Sequence, residues 1–313
     1  MAQAIVYTEF GSPDVLTLVD IDVPPPAAGE VAIRIEAAGV NPIDAKLRSG
    51  ARASGEITSP RRVGADAAGV VTAVGEGVEG LRVGEHVIAF AAPGSYATEL
   101  VMPASHVVPR PPAVSAAEGA ALGVPVGTAY QTLRSLTVGE GDTLLLHAGS
   151  GAVGQAVIQY AVLWGARVVA TSSRRRADRV RELGATPVEY GDGLLDRVRE
   201  AAPDGVTVAI DAAGTDEALD VSEALVADRN RIATLVRGRD AAGRGIRAFS
   251  GGSPVPMTPQ QLAWRAEAMP VTLALMAAGR FTVELGPTLP LSEAVQAHRL
   301  LEKGTDGKIV LVP

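Results

Sequence analysis

The sequence contains no cysteine. A chain without cysteine has no disulfide, no thiolate nucleophile, no iron–sulfur cluster and no cysteine-ligated zinc. Histidine is also scarce, and its four residues are spread along the chain: His86, His106, His147 and His298. We therefore expect no metal site, so the chemistry has to come from other side chains or from a bound organic cofactor.

Neither an excess of positive charge nor a long hydrophobic run is present. The net charge is −7, which argues against a general nucleic-acid-binding protein because phosphate contacts need a basic face. No apolar run reaches the length of a membrane span, and the first residues do not resemble a targeting signal. The sequence therefore predicts a soluble, cytoplasmic protein that binds no nucleic acid.

The chain does contain enough apolar sequence for sizeable cores. It has 313 residues, of which 47% are hydrophobic and 20% charged, an ordinary globular composition that suggests two domains or one large one. Up to about residue 120, short apolar stretches alternate with breaks rich in proline and glycine, which predicts an antiparallel β-domain. The stretches are residues 4–7, 31–35, 69–74, 86–90 and 96–101.

The middle of the chain alternates strand-like and helix-like segments. Because parallel neighbours need crossover connections, this alternation predicts a parallel sheet covered by helices on both faces. The predicted strands are residues 143–147, 167–171, 186–190 and 206–211, and the predicted helices are 155–164, 177–183 and 194–202.

Three further elements are predicted near the end of the chain. We expect a helix over residues 291–301 with Ser292 as its N-cap, and a strand over 308–312. Residues 237–259 are rich in glycine, arginine and proline, which makes them a candidate for a mobile loop at a site.

A glycine-rich motif lies between the first strand and the first helix of the middle region. It matches G-x-G-x-x-G and consists of Gly149, Ser150, Gly151, Ala152, Val153 and Gly154. Glycines there permit a tight turn and let the backbone approach a pyrophosphate, while the helix N-terminus offers free N–H groups and the positive end of its dipole. A plain turn is the structural alternative, but the flanking strands and helix favour a dinucleotide site.

The end of the second strand indicates which dinucleotide binds. NAD-specific sites carry an acidic residue here for the ribose 2′-OH, whereas arginine accommodates the 2′-phosphate of NADP. No acidic residue precedes Asp178, and Ser173, Arg174 and Arg175 occupy the place. The sequence favours NADP(H). The alternatives are that the arginines only begin a solvated helix face, or that they bind nucleic acid, for which interleaved aromatic residues are missing.

Several short motifs follow one another along nearly the whole chain. They are AGVNPID at 38–44, GADAAG at 64–69, GSYA at 94–97, TAY at 128–130, HAGSGAVG at 147–154, LGA at 183–185 and GKIVL at 307–311. Each motif alone is weak, but their order is specific. The chain resembles the medium-chain dehydrogenase/reductase superfamily, in particular its zinc-independent quinone oxidoreductase branch, the zeta-crystallin-like proteins.

The resemblance implies an α/β protein with a GroES-like, β-rich catalytic domain and a doubly wound, parallel-sheet Rossmann domain. We place the catalytic domain at residues 1–121 and 262–313 and the NADP-binding domain at 122–261. Zinc-dependent members carry cysteine where this chain has Asn41, and Gly-His-Glu where it has Gly64-Ala65-Asp66. A zinc-based alcohol dehydrogenase is therefore disfavoured. The resemblance also implies a homodimer.

Site residues follow from the same resemblance. Asn41 and Asp44 border the nicotinamide and substrate cleft, and the Asn41 amide can donate to an acceptor oxygen that gains charge as hydride arrives. The structural alternative is a turn, with Asp44 capping the next helix. Thr128 is either a neighbour of the nicotinamide or a hydroxyl at a helix start. Tyr190, near the adenosine ribose or 2′-phosphate, and Lys308 are candidate cofactor contacts.

The pattern also departs from the family. Many relatives carry a tyrosine shortly after the Asn-Pro segment, but residues 48–62 contain no aromatic. We interpret His147 as structural, so no obvious general acid remains. A quinone suits such a site, because its reduced oxyanion is delocalised and can take a proton from water.

These observations lead to one functional hypothesis and two alternatives. The hypothesis is an NADPH-dependent oxidoreductase that transfers hydride to a quinone without a metal. The nearest alternative is an NADPH-dependent reductase of enone or enal double bonds. The alternative from another class is a non-catalytic NADPH-binding protein that senses redox state or binds RNA.

Overall fold

The computed structural model describes residues 1–249, 253 and 255–313 as two compact units. Unit 1 comprises Met1–Val124 and Met269–Pro313, and unit 2 comprises Pro125–Ala268. Both boundaries lie a few residues after those that the sequence places at 121/122 and 261/262.

The order of the elements follows the predicted pattern: short strands come first, and strands alternate with helices in the middle of the chain. The strands are β1 (Ala2–Tyr7), β2 (Thr17–Ile21), β3 (Glu30–Gly39), β4 (Arg61–Arg62), β5 (Asp66–Val74), β6 (His86–Phe90), β7 (Glu99–Pro103), β8 (Val107–Pro109), β9 (Thr143–His147), β10 (Arg167–Ser172), β11 (Thr186–Glu189), β12 (Val208–Asp211), β13 (Ile232–Thr234), β14 (Arg247–Ala248), β15 (Leu285–Pro290) and β16 (Lys308–Val312). The α-helices are α1 (Pro42–Arg48), α2 (Ala116–Ala120), α3 (Gly123–Ser135), α4 (Ala152–Leu163), α5 (Ala177–Glu182), α6 (Leu194–Ala201), α7 (Asp216–Leu225), α8 (Gly238–Arg244), α9 (Pro259–Ala277) and α10 (Ala294–Lys303).

Unit 1 is built on a seven-stranded sheet. Its strand order is β15-β16-β3-β5-β6-β8, and β7 pairs with β3 as well. The first 124 residues pair antiparallel, as predicted, whereas β15 and β16 are parallel to each other. Along β3 the apolar residues Val31, Ile33 and Ile35 are buried and Arg34 between them is exposed, which is the period of two that a half-buried strand requires.

Unit 2 is a six-stranded parallel sheet in the order β11-β10-β9-β12-β13-β14. Counted from β9, this is the order 3-2-1-4-5-6 of the Rossmann fold, in which ligands bind where the order reverses. The reversal falls between β9 and β12, at the carboxyl end of the strand that precedes the glycine motif. The predicted parallel sheet is therefore confirmed.

Two predictions near the end of the chain need correction. Ser292 is not an N-cap, because Leu291–Glu293 form a 3₁₀ turn and α10 begins only at Ala294. The segment 237–259 is not one loop, because it contains α8 and β14. Its residues 250–252 and 254 lie outside the described part. Within the described part, no helix combines the length and the apolar character needed to span a membrane.

Candidate active site

The glycine motif of unit 2 joins β9 to α4. Packing against neighbouring atoms explains two of its three glycines but not Gly151. A Cβ on Gly149 would lie 2.6 Å from the Cβ of Ala170, and one on Gly154 would lie 2.3 Å from the carbonyl oxygen of Ala148. Close packing therefore requires these two glycines. Gly151, the N-cap of α4, is exposed, and the nearest atom to its Cβ would be 3.5 Å away.

The bare Gly151 backbone fits a dinucleotide pyrophosphate. Gly151 precedes a 12-residue helix, whose first N–H groups lack partners within the helix. Since no neighbouring protein atom forbids a side chain there, the missing side chain leaves room for a ligand close to the backbone.

The second part of this site is the carboxyl end of β10 and β11. Ser172 and Glu189 are paired in the parallel register, so Ser173 and Tyr190 follow at neighbouring strand ends. Arg174 begins a 3₁₀ turn and is exposed, and Tyr190 is 57% exposed. Tyr190 is therefore not part of the core of unit 2, and its ring is accessible to a ligand.

Two other residues of unit 2 belong to its interior. Thr128 is buried as the sixth residue of α3, so it is not a hydroxyl at a helix start. His147 lies 3.1 Å from the Ser222 hydroxyl, which itself donates to the Ala218 carbonyl, so the imidazole N–H donates to Ser222. Burial lowers the His147 pKa to about 4 despite the nearby charge of Asp211, so the ring is neutral, consistent with a structural role.

Unit 1 brings together five polar side chains that are far apart in sequence. Asn41, Asp44, Asp66, Tyr96 and Lys308 are all buried. They come from the start of α1, the first residue of β5, the loop before β7 and the first residue of β16. We call these five residues the polar cluster.

Asn41 lies at the centre of the polar cluster. Its side-chain N–H groups donate to the Gly39 carbonyl at 3.2 Å and to the Asp66 carboxylate at 2.9 Å. Its oxygen accepts from the Lys308 ammonium. Because both amide hydrogens are used within the protein and the residue is fully buried, donation to a substrate oxygen would require one of these bonds to open.

The Asp44 carboxylate accepts two hydrogen bonds within the polar cluster. One carboxylate oxygen, Oδ2, accepts from the Asn41 backbone N–H at 2.9 Å and from the Tyr96 hydroxyl at 3.0 Å. The first of these bonds ties down the beginning of α1, as the capping interpretation predicts.

Burial and neighbouring charges perturb the ionisable groups of the polar cluster. Burial, reinforced by the charge of Asp66, raises the Asp44 pKa to about 7, against the hydrogen bonds and Lys308, which lower it. Burial also lowers the Lys308 pKa, although both carboxylates oppose this shift. Two carboxylates and one lysine thus share a region that water scarcely reaches.

A pocket of about 340 Å³ opens beside the polar cluster within unit 1. Asp44 is one of its walls, and Tyr7, Arg62 and Ala65 contribute to others. Its volume is at the lower end of the range for small-molecule sites. In the described residues, no group of three or more histidine, aspartate or glutamate side chains is placed to hold a metal ion.

Sequence reasoning missed three contributors to this region. Tyr96 lies in the GSYA motif, yet its bond to Asp44 joins residues 52 positions apart. Tyr7 and Arg62 line the pocket, and no local pattern marks them. Tyr7 thus gives this pocket an aromatic side chain that comes from β1 and not from residues 48–62.

Comparisons with known proteins agree with this architecture. Residues 27–112 match the alcohol dehydrogenase GroES-like domain family, and residues 152–239 match the zinc-binding dehydrogenase family. The solved structure of a mycobacterial protein complexed with NADPH is 32% identical, with a TM-score of 0.84 and full coverage of both chains.

Two curated relatives extend the comparison. The quinone oxidoreductase of Sus scrofa is 30% identical over 100% of this chain and 98% of its own length. The 2-methylene-furan-3-one reductase of Solanum lycopersicum is 35% identical over 67% of this chain and 57% of its own length. The matched part spans 53% of the quinone oxidoreductase of Mus musculus and 98% of that of Sus scrofa.

A GroES-like β-domain whose two chain segments flank a Rossmann unit defines an oxidoreductase fold. The chain belongs to the medium-chain dehydrogenase/reductase superfamily, in its quinone oxidoreductase-like group.

Proposed function

We propose that this chain is an NADPH-dependent oxidoreductase that transfers hydride to a quinone without a metal ion. Bound NADPH supplies the hydride from C4 of its nicotinamide ring. The observation that carries the proposal is the bare, exposed backbone of Gly151 at the start of α4, in a chain that matches a quinone oxidoreductase over its full length.

Unit 2 provides the residues for the cofactor. The loop Gly149–Gly154 receives the pyrophosphate at the N-terminus of α4. Ser173, Arg174 and Arg175 surround the 2′-phosphate, and Tyr190 covers the adenosine ribose beside it. The mycobacterial relative complexed with NADPH supports the choice of this cofactor. Thr128 remains our candidate neighbour of the nicotinamide.

The polar cluster orients the groups at the acceptor. Lys308 is 4% exposed and bonds to Asn41, so we assign it to positioning Asn41 rather than to direct contact with the cofactor. Asn41 in turn holds Asp66 and the start of α1. Metal independence is supported by Asn41 and Ala65, which replace the cysteine and histidine of zinc-dependent members and are poor zinc ligands.

The pocket beside Asp44 is the proposed acceptor site. Tyr7 offers an aromatic wall and Arg62 a cation, a combination that suits a flat ring bearing carbonyl oxygens. The tomato relative favours a second candidate, reduction of an enone double bond, because its name describes a reductase of such a compound.

A panel of acceptors tests the proposal and separates these functions. We expect NADPH oxidation, followed by its absorbance, with quinones and without loss of rate after dialysis against a chelator. Turnover of enones or 2-alkenals but not of quinones would establish the second candidate instead. NADPH binding without turnover of any acceptor would point to the non-catalytic alternative. We also propose that the protein is cytoplasmic and forms a homodimer. Light scattering of the purified protein tests the oligomeric state.

A further inference from the structure

We propose that the Asp44 carboxyl is the proton donor that completes reduction of the acceptor in the pocket of unit 1. The inference rests on the proposed function and deepens it. The sequence shows no obvious general acid, because residues 48–62 contain no tyrosine and the zinc ligands of related enzymes are replaced. Asp44 fills this role.

The geometry leaves one oxygen of Asp44 for this task. Both hydrogen bonds to the carboxylate, from the Asn41 backbone and from the Tyr96 hydroxyl, end on Oδ2. No hydrogen bond to Oδ1 occurs among the described residues. Since Asp44 is also a wall of the pocket, Oδ1 is the atom that can carry a proton towards a bound acceptor.

The surrounding groups set the charge state of Asp44. Burial and the charge of Asp66 favour the protonated form of Asp44. The Asn41 backbone N–H, the Tyr96 hydroxyl and Lys308 favour the ionised form. Arg62 and Tyr7 face the same pocket. Burial is the largest influence, and the resulting pKa of about 7 matches a general acid that works near neutral pH.

Hydride transfer and proton transfer together complete the two-electron reduction of the acceptor. Hydride from the dihydronicotinamide brings two electrons to the acceptor, and a negative charge develops on the acceptor oxygen. The Oδ1–H bond of Asp44 breaks, its electron pair stays on the carboxylate, and the acceptor oxygen gains the proton. Asp44 then recovers a proton from solvent, which can reach its carboxyl only from the side of the pocket.

Neighbouring groups are less suited to this role. The Tyr96 hydroxyl already donates to Asp44, and burial together with the Asp44 charge raises the Tyr96 pKa well above its usual value. The Lys308 ammonium donates to Asn41 and is not part of the pocket wall. Asp44 alone in the polar cluster combines a free oxygen with a position on the pocket.

A carboxyl titration followed by NMR tests the charge state without any turnover. Protein labelled with ¹³C at aspartate carboxyls is titrated with NADP⁺ absent, and the Asp44 signal is assigned by its loss in Asp44→Asn. We expect a midpoint near pH 7. Tyr96→Phe should move it upward and Asp66→Asn downward, because these groups act in opposite directions on the ionised form. An Asp44 carboxyl that is already ionised well below neutral pH overturns the proposal.

Kinetics of the same variants test the transfer itself. Asp44→Asn keeps the shape of the side chain but cannot act as an acid, so we expect kcat with a quinone to fall about 100-fold or more. The alkaline decline of the wild-type rate should follow the NMR midpoint and shift upward in Tyr96→Phe. Asp196→Asn, an exposed carboxylate on α6, is the matched control and should change neither rate nor profile.

The outcomes separate the two proposals. A wild-type protein that oxidises no NADPH with any quinone overturns the proposed function. A wild type that does so, with an Asp44→Asn variant of equal kcat and unchanged pH profile, overturns only the role of Asp44. Melting temperatures identify variants that lose activity because they unfold.

Discussion

The Lys308 ammonium donates a hydrogen bond to the side-chain oxygen of Asn41, across 267 positions of sequence. This bond fixes the orientation of the Asn41 amide, since the oxygen must face the lysine and the N–H groups must face Gly39 and Asp66. Lys308, the first residue of β16, thus determines how Asn41, the N-cap residue of α1, orients its polar atoms.

Replacing Lys308 by methionine tests this bond. The substitution keeps the apolar stem but leaves the buried Asn41 oxygen without its donor, which should lower the free energy of unfolding by about 1–3 kcal/mol. Urea unfolding of the purified protein measures the loss. Lys303→Met, at the exposed end of α10, is the matched control and should change stability by no more than about 0.5 kcal/mol. Equal stability of the two variants would contradict the importance of the bond.

The glycines of the nucleotide loop should separate stability from binding. Gly154→Ala places a Cβ 2.3 Å from the Ala148 carbonyl oxygen, so it should cost about 1–3 kcal/mol of stability. Gly151→Ala meets no close atom, so beyond the loss of a favourable N-cap residue it should cost no more than about 1 kcal/mol of stability. It should weaken NADPH binding about tenfold or more, or about 1.4 kcal/mol. Fluorescence titration with NADPH measures the affinity. Unchanged affinity in Gly151→Ala would move the pyrophosphate away from this loop.

The double variant Arg174→Ala, Arg175→Ala tests the choice of cofactor. Loss of two charge-assisted hydrogen bonds to a 2′-phosphate, worth about 1.5–3 kcal/mol each, should weaken NADPH binding by about two orders of magnitude or more and hardly affect NADH binding. Calorimetric titration with both dinucleotides gives the ratio. Arg199→Ala, exposed on α6, serves as control. Equal losses for NADPH and NADH would place these arginines elsewhere than at the 2′-phosphate.

His298 should make the protein sensitive to acid. The ring is buried against Tyr96, and neither nitrogen has a hydrogen-bond partner in the described structure. Burial and the charge of Arg48 lower its pKa from 6.5 to about 4. The unfolded chain binds a proton at His298 more readily than the folded chain does. Above pH 6.5 the ring is neutral in both states and its titration costs no stability. As the pH falls from 6.5 towards 4, the free energy of unfolding should drop by on the order of 3 kcal/mol.

The variant His298→Leu removes this titration and the buried polar atoms together. It should be at least as stable as the wild type at pH 7, and the gap in its favour should widen between pH 6.5 and 4.5. Urea unfolding at several pH values gives the comparison, with the exposed His86→Leu as control. A variant whose pH dependence parallels the wild type would show that His298 titrates normally.

Features specified by neighbouring residues could be predicted from the sequence. The strand over 308–312 and the strand over 143–147 have the predicted bounds, because uninterrupted apolar runs between turn residues leave few alternatives. Ser292 shows the limit of such reasoning. A serine before a helical pattern is a good N-cap, but the 3₁₀ turn of Leu291–Glu293 includes it and delays α10.

The polar cluster could be predicted only as separate residues. Asn41, Asp44 and Lys308 each occur in a motif, yet the bonds among them depend on the pairing of β16 with β3. The pocket depends in the same way on Tyr7 and Arg62, brought together by the pairing of β1 with β4. Sequence periodicity fixes which face of a strand is buried, but it does not state which distant side chains meet there.

The pairing of β16 with β3 also constrains the order in which this protein can be completed during synthesis. Ala38 and Gly39 of β3 receive their partner strand only after residues 125–307 have left the ribosome, which takes on the order of ten seconds or more at about 5–20 residues per second. Until then, the end of β3 lacks its partner strand, although β7 can already pair with Glu30–Arg34 of β3. The carboxylates of Asp44 and Asp66 likewise lack the nearby charge of Lys308, so the polar cluster is completed last.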